Sequence, residues 1–181
     1  MSAQCSPYGA MTERAFVKWT LGYTMDPIIG AFRAIPDQWL CRRPHPDVNA
    51  PGWIFGHIAV TERKHIGLVL EDVDDIPDHF RLFHTESEPS ESAIVAAIES
   101  KEQLIAYWSG VRQMTERYLD RITDDDLAGI PSSAWLGADN PNRDNPRREW
   151  LVMTIQHQNF HWGQLDLIRR LVADGRDRVS R

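Results

Sequence analysis

Apolar residues recur every three to four positions in four long stretches of the chain, and proline-rich segments separate these stretches. This spacing is typical of amphipathic helices, because it places the apolar side chains on one face. The predicted helices cover about 12–35, 51–70, 91–121 and 145–173. No segment alternates apolar and polar residues as a half-buried strand does. The pattern therefore predicts an all-α protein, a four-helix bundle with a long crossover between helices 2 and 3.

Capping residues and prolines set the predicted ends of these helices. Asn49 and Ser90 are the expected N-caps of the second and third helices, and Gly175 is expected to close the fourth. Pro27 lies inside the first helix and lacks an amide donor, so it should kink or restart that helix. The segment Thr123–Leu127 is predicted to form a short capped turn.

Length and charge narrow the class of protein. The chain has 181 residues, with 20 Lys and Arg against 26 Asp and Glu, and we expect a single helical domain over 1–181 with residues 1–10 as an N-terminal tail. A net charge of −6 argues against nucleic acid and anionic membrane as partners. The longest stretch without charged residues, 150–165, is too short and too polar to span a bilayer. No signal peptide precedes the helices, so the predicted location is the cytoplasm.

The two cysteines, Cys5 and Cys41, form neither a disulfide framework nor a cysteine-based metal site. Cys5 falls in the predicted tail. Arg42 and Arg43 follow Cys41 and would favour a lowered thiol pKa, although an incidental cysteine is the simpler interpretation.

The histidines carry the most specific chemical signal. His157 and His161 are four residues apart on the fourth helix, so their imidazoles share a face, with Cβ atoms about 6 Å apart, and can bind one divalent cation. The same spacing is equally compatible with two histidines held by ordinary hydrogen bonds. His57, on the apolar face of the second helix, is the best candidate for a third ligand, though a lone core histidine is more often structural. His65 lies about 12 Å further along that helix and cannot join it, and beside Lys64 it is expected to face solvent.

Other polar residues receive simpler interpretations. His45, His79 and His84 lie in proline-rich connections and are predicted to be exposed. Glu62 follows His57 by five residues, about 140° around an ideal helix, and is predicted to be a surface charge.

For Gln164 and for four of the tryptophans, the sequence is compatible with two different roles. Gln164 shares a face with His161, where it would orient a metal ligand or bond to a neighbouring helix. Four tryptophans either line a pocket or fill the core, and their helical spacing favours the core: Trp53, Trp108, Trp150 and Trp162.

Two motifs resemble those of the DinB-like (DinB/YfiT) superfamily. These are Trp53–His57 on the second helix and His157–Gln164 on the last, followed by the basic, leucine-rich segment 167–171. The resemblance implies a four-helix bundle, often dimeric, that binds Zn or Ni through three histidines. Carried onto this chain, the metal ligands are His57, His157 and His161. Some members of the superfamily transfer a low-molecular-weight thiol, bacillithiol or mycothiol, to an electrophile, or isomerise substrates with a thiol cofactor.

Three neutral imidazoles leave coordination positions open, as in catalytic rather than structural metal sites. The first hypothesis is therefore a metal-dependent enzyme that transfers a low-molecular-weight thiol to a small electrophilic molecule. The alternatives are a non-catalytic metal-binding or stress-related protein, and a metal-dependent hydrolase. The first helix carries more aromatic residues than one buried face needs, which favours a homodimer.

Overall fold

A computed structural model of the protein describes residues 11–84 and 89–173. Within these ranges the chain forms six α-helices: α1 (Glu13–Arg33), α2 (Pro51–Arg63), α3 (Glu91–Ala97), α4 (Lys101–Arg121), α5 (Asp124–Ala128) and α6 (Arg147–Ala173). A π-helical segment, Lys64–Glu71, continues α2, and 3-10 turns form at Asp37–Trp39 and Asp78–His84. No β-strand occurs in the described part, so the predicted all-α class is confirmed.

The second helix lies at the centre of the bundle. It contacts α4, α6 and the 3-10 turn Asp78–His84, and His57 is its only residue that is not buried. Phe55 stacks on Phe32 of α1 with ring centroids 4.1 Å apart and receives the edge of Trp108 from α4 at 5.3 Å. A helix that is buried on nearly every side is typical of a bundle core.

Helix α1 passes through Pro27 without a break, so the prediction of a restart was wrong. Pro27 has no amide hydrogen to donate to the carbonyl oxygen of Tyr23, four residues earlier. Pro27 is half-buried and Tyr23 is exposed, so water can bind that carbonyl oxygen instead. The C-terminal part of the helix is buried through Ile28 and Phe32.

The N-terminal part of α1 differs from its C-terminal part, because its aromatic side chains face outwards. Phe16, Trp19 and Tyr23 are all more than half exposed. Their rings follow one another along the helix, with centroids 6.3 Å and 5.5 Å apart. We call these three residues the aromatic face of α1.

The prediction of a single helix over 91–121 was wrong, because the helix is interrupted between α3 and α4. Ile98 adopts an extended conformation with φ −109° and ψ 111°. Ser100 then caps α4 by accepting a hydrogen bond from the amide of Gln103, as Ser90 caps α3. A second serine cap within the apolar pattern therefore overrides the continuous helical periodicity.

One other predicted helix end needs correction. Asn49 is not the N-cap of α2; Ala50 occupies that position without a side-chain bond, and Pro51 opens the helix. The short turn after α4 is confirmed as α5, with a capping box between Thr123 and Asp126. Gly175 and residues 1–10 lie outside the described residues.

The crossover between α2 and α3 contributes buried side chains to the core. Its 3-10 turn, Asp78–His84, packs on α2 and buries Phe80 and Phe83. This contact brings the crossover to the side of α2 that carries His57. Across the described part of the chain, no helix combines the length and the apolar character that a membrane crossing requires.

Candidate metal centre

Three histidines meet between α2 and α6. Each of His57, His157 and His161 offers a ring nitrogen, and these three atoms lie within 4.8 Å of one another. The two Nε2 atoms of His157 and His161 are 3.1 Å apart, because one helical turn separates the residues. The ring of His57 lies 4.8 Å and 5.1 Å from their centroids.

Hydrogen bonds fix the tautomers of two of these imidazoles. The Nδ1 atom of His57 lies 2.6 Å from the carbonyl oxygen of Phe83, and Nδ1 of His161 lies 2.7 Å from Oε1 of Gln164. Both oxygens only accept hydrogen bonds, so both Nδ1 atoms carry the proton and donate it. In the neutral rings the lone pair is therefore on Nε2.

This arrangement fits a divalent metal ion. Two imidazole nitrogens at about 2.05 Å from a tetrahedral Zn²⁺ ion would lie about 3.3 Å apart. The 3.1 Å between the Nε2 atoms of His157 and His161 is close to that separation. Metal-bound histidines commonly donate their other ring N–H to a carbonyl or side-chain oxygen, as His57 and His161 do. His157 and His161 thus have the donor type and the separation for such an ion, and the ligand atom of His57 lies within 4.8 Å of theirs.

The site also keeps its histidines neutral. Burial lowers the pKa of His57, and it lowers the pKa of His157 to about 2 and that of His161 to about 4. For His161 the hydrogen bond to Gln164 acts in the opposite direction and is outweighed. A neutral imidazole is the form that binds metal, so no proton has to be displaced at neutral pH.

Residues 24–165 match the sequence model of a protein family described as the DinB superfamily. The chain belongs to the DinB superfamily. Two solved structures share the fold of this DinB-superfamily protein. One is a conserved protein from Enterococcus faecalis, with a TM-score of 0.70 and 20% identity over 91% of this chain and 99% of that chain. The other is the sibling lethal factor precursor DfsB, with a TM-score of 0.62 and 18% identity over 90% of this chain and 96% of that chain. No curated protein sequence matches this chain.

The tryptophans of this DinB-superfamily protein divide between the site and the core. Trp53 lies one turn before His57 and stacks on its ring, with centroids 4.7 Å apart and planes 10° apart. Trp108 and Trp150 are buried in the core, and Trp162 packs against it.

The prediction that Glu62 is a surface charge was wrong. Its side chain is completely buried and accepts hydrogen bonds from four side chains. Trp108 Nε1 donates at 2.7 Å, Arg112 Nε at 2.9 Å, Thr115 Oγ1 at 2.8 Å and Gln158 Nε2 at 2.8 Å. These donors come from α4 and α6, so the carboxylate joins three helices.

The error has a physical cause. Glu62 does point away from His57, but α2 is surrounded by other helices, so the side opposite the metal centre faces α4 instead of solvent. The sequence contains one signal of this network, because Arg112 and Gln158 both fall within apolar helical faces, where a polar group needs a partner.

His65 is buried, contrary to its predicted exposure. Its Nδ1 donates to Oγ1 of Thr154 at 2.8 Å, and its ring lies 5.3 Å from that of Trp150. Burial lowers the pKa of His65 to about 3. It does not belong to the three-histidine cluster.

A cavity of about 470 Å³ opens beside the three histidines. Its other lining residues are Asn49, Trp53, Thr61, Lys64, His84, Phe160 and Gln164. His45 and His79 are exposed as predicted, but His84 is half-buried and lines this cavity. Lys64 follows His57 by seven residues, two helical turns, and this spacing is the signal that could have placed it here.

Cys41 lies elsewhere and does not line the cavity. Burial raises the pKa of its thiol, and the carboxylate of Glu91 adds to the effect. The neighbouring arginines therefore do not lower the pKa of the thiol, which favours the interpretation of Cys41 as an incidental cysteine. Cys5 lies outside the described residues.

Proposed function

We propose that this protein binds a divalent metal ion, zinc or nickel, through His57, His157 and His161, and transfers a low-molecular-weight thiol to a small electrophilic molecule. One observation carries the metal proposal: three imidazole nitrogens converge within 4.8 Å, and the hydrogen bonds from Nδ1 of His57 and of His161 leave Nε2 of both rings unprotonated. Membership in the DinB superfamily supports the same assignment. The transfer activity rests on the open side of the site and on the resemblance of its motifs to those of thiol-dependent members.

The chain's own residues would hold and orient the reactants. Phe83 and Gln164 fix the rings of His57 and His161, and Trp53 supports the ring of His57. The cavity of about 470 Å³ has room for a small molecule next to the imidazoles. When bound, a divalent ion supplies an acidifying charge that makes a coordinated thiol a thiolate near neutral pH.

The transfer consists of one substitution. The thiol proton goes to solvent, the sulfur donates an electron pair to the electrophilic carbon, and the leaving group departs with the electrons of its own bond. Cys41 is not available as the source of sulfur, because it lies away from the cavity and burial raises the pKa of its thiol. Since the described part of the chain offers no other thiol, we infer that the thiol arrives as a separate molecule.

Metal analysis of protein purified without chelators tests the first half of the proposal. We expect one equivalent of zinc or nickel in the wild type and a loss of at least tenfold in metal content in His57→Ala and His157→Ala. His79→Ala removes an exposed histidine outside the cluster and serves as the matched control. Metal-free wild-type protein that remains folded and takes up no added zinc or nickel would refute the metal site.

The second half is tested with the metal-loaded protein and a set of electrophiles. Consumption of both a low-molecular-weight thiol and the electrophile, absent in His157→Ala, is expected. Turnover that needs no thiol would replace the transferase with a hydrolase. Stoichiometric metal without any turnover, together with a lower Tm after chelation, would identify a metal-binding protein without catalysis. The cytoplasmic location and the absence of nucleic-acid and membrane partners stay predictions of the sequence.

A further inference from the structure

Gln158 is a fully buried polar residue on α6, between the two histidines that this helix contributes to the cluster. It directly follows His157 and precedes His161 by three residues, so the three residues lie within about one turn of the helix. A buried glutamine amide needs hydrogen-bond partners, and in this protein the partners come from other helices. The position of this turn of α6 is therefore tied to the positions of those partners.

The first partner of Gln158 is Glu62 on α2, the helix that also carries His57. Nε2 of Gln158 donates a hydrogen bond to Oε2 of Glu62 at 2.8 Å. Glu62 follows His57 by five residues, about 7.5 Å along the helix axis. A further hydrogen bond, from His65 to Thr154, joins the π-helical segment to α6. The bond between Gln158 and Glu62 thus links the turn that bears two of the histidines to the helix that bears the third.

Helices α1 and α4 hold the other side of the same amide. Oε1 of Gln158 accepts a hydrogen bond from Nη2 of Arg112 at 3.1 Å and lies 3.2 Å from Oγ1 of Thr24. Arg112 is itself fixed, because its guanidinium also donates to Glu62 and to the backbone oxygen of Leu21. Side chains of α1, α2 and α4 therefore all meet α6 at this amide.

The approach of His57 to the other two histidines depends on the register between α2 and α6. His157 and His161 share a face of one helix, so their spacing needs no other element. Apolar packing alone holds the register between two helices weakly, because the burial of apolar surface is non-directional. Hydrogen bonds between buried polar groups are directional, and fixing register is the best-attested role of such groups.

We propose that the hydrogen bond between Gln158 and Glu62 sets this register, so that Gln158 is a positioning residue for the metal centre. This inference rests on the proposed function, of which it uses only the metal site. Without the bond, the two histidines of α6 keep their spacing, while His57 no longer reaches the ion that they bind. The loss therefore concerns the third ligand rather than the fold.

Gln158→Met tests the proposal, because methionine has a similar volume and favours a helix but cannot donate to Glu62. The carboxylate of Glu62 would still pair with Arg112. We expect the zinc affinity, measured by competition with a chromophoric chelator, to fall by about tenfold or more. The visible absorption spectrum of the cobalt(II)-loaded variant, which reports the number and geometry of the ligands, should shift towards that of His57→Ala.

Thr115→Val is the matched control within the same network. Oγ1 of Thr115 donates to Oε1 of Glu62 at 2.8 Å, but Thr115 lies on α4, which carries no histidine of the cluster. Its substitution should lower the melting temperature, as that of Gln158 does, because both remove a buried hydrogen bond. It should leave the zinc affinity and the cobalt spectrum unchanged.

Wild-type zinc affinity together with a wild-type cobalt spectrum in Gln158→Met would overturn the positioning role. If that variant does not fold, Gln158→Asn is measured with the same expected results, because its shorter side chain cannot reach Glu62. Equal losses of zinc affinity in the Gln158 and Thr115 variants would also overturn the role, since the network would then act through stability alone. A wild type that binds neither zinc nor cobalt would overturn the metal site and this inference together.

Discussion

His161 donates a hydrogen bond of 2.7 Å from Nδ1 to Oε1 of Gln164, one turn further along α6. This bond fixes the ring orientation and leaves Nε2 unprotonated, which is the form of the nitrogen that binds a metal ion. Replacing Gln164 with Leu removes the acceptor but keeps the helix, so the affinity for zinc should fall about 10- to 100-fold. Competition with a chromophoric chelator measures the affinity.

Gln156 provides the matched control for this substitution, because it lies on an exposed position of the same helix. Gln156→Leu should leave zinc affinity within twofold of the wild type. If Gln164→Leu also binds zinc as tightly as the wild type, the positioning role of Gln164 is wrong.

Glu62 is the second residue whose environment yields a prediction. Glu62→Ala leaves the guanidinium of Arg112 buried without its carboxylate partner, which should lower the free energy of unfolding by about 3–5 kcal/mol. Urea denaturation followed by circular dichroism measures the change. Glu102→Ala breaks the exposed pair with Arg33 and should cost less than about 1 kcal/mol. Similar values for the two variants would contradict the structural role of the buried pair.

At the scale of elements, the contact between α2 and the crossover depends on a glycine. A Cβ atom at Gly56 would lie 2.6 Å from the ring of Phe83, whose backbone oxygen binds His57. Gly56→Ala should therefore displace the 3-10 turn, lower the free energy of unfolding by about 1–3 kcal/mol and weaken zinc binding. Thermal unfolding and the zinc competition assay measure the two effects.

Gly110, in the middle of α4, is the control, because a Cβ atom there would meet no other atom within 4 Å. Gly110→Ala should raise the free energy of unfolding by about 0.5–1 kcal/mol, since alanine favours the helix. A Gly56→Ala protein with wild-type stability and zinc affinity would show that the crossover does not position His57.

For the whole molecule, the buried histidines predict a dependence of stability on pH. Burial lowers the pKa of His65 to about 3, of His157 to about 2 and of His161 to about 4, whereas an imidazole in the unfolded chain has a pKa of about 6.5. The unfolded state therefore binds more protons below that pH. The stability is complete above pH 6.5 and falls as the pH decreases towards the folded-state values.

Each of these groups lowers the free energy of unfolding by up to about 1.4 kcal/mol per pH unit within that window. Urea denaturation of metal-free protein between pH 7.5 and 5 measures the slope. His157→Gln removes one titrating group and should give a shallower decrease than the wild type. A free energy of unfolding that does not change between pH 7.5 and 5 would contradict the prediction.

The homodimer also belongs to this scale and stays a prediction. The aromatic face of α1 (Phe16, Trp19 and Tyr23) exposes three large side chains in succession, which a second copy of the chain would cover. Analytical ultracentrifugation is expected to show a dimer for the wild type and a monomer for Trp19→Glu. Val95→Glu changes an exposed apolar residue on α3 and should remain dimeric. A monomeric wild type at micromolar concentration would refute the dimer.

The sequence by itself determined the helical class and the histidines that can share a face. Apolar periodicity and the spacing of four between His157 and His161 are local properties, which a helix converts directly into geometry. The same reasoning predicted α5 from its capping residues, because a capping box needs only neighbours in the chain. It failed at Ile98, where two overlapping local signals, continued periodicity and a serine cap, competed.

Only the tertiary structure decided which sides of a helix are buried. Glu62 and His65 are polar residues on a helix that other elements surround, and the chain sequence does not record how many neighbours α2 has. The convergence of His57 with α6, and the arrival of Phe83 and His84 from the crossover, also depend on contacts between residues far apart in the chain. Helical phase is a local quantity, whereas burial and convergence are set by the packing of whole elements, and for that reason only the folded chain reveals them.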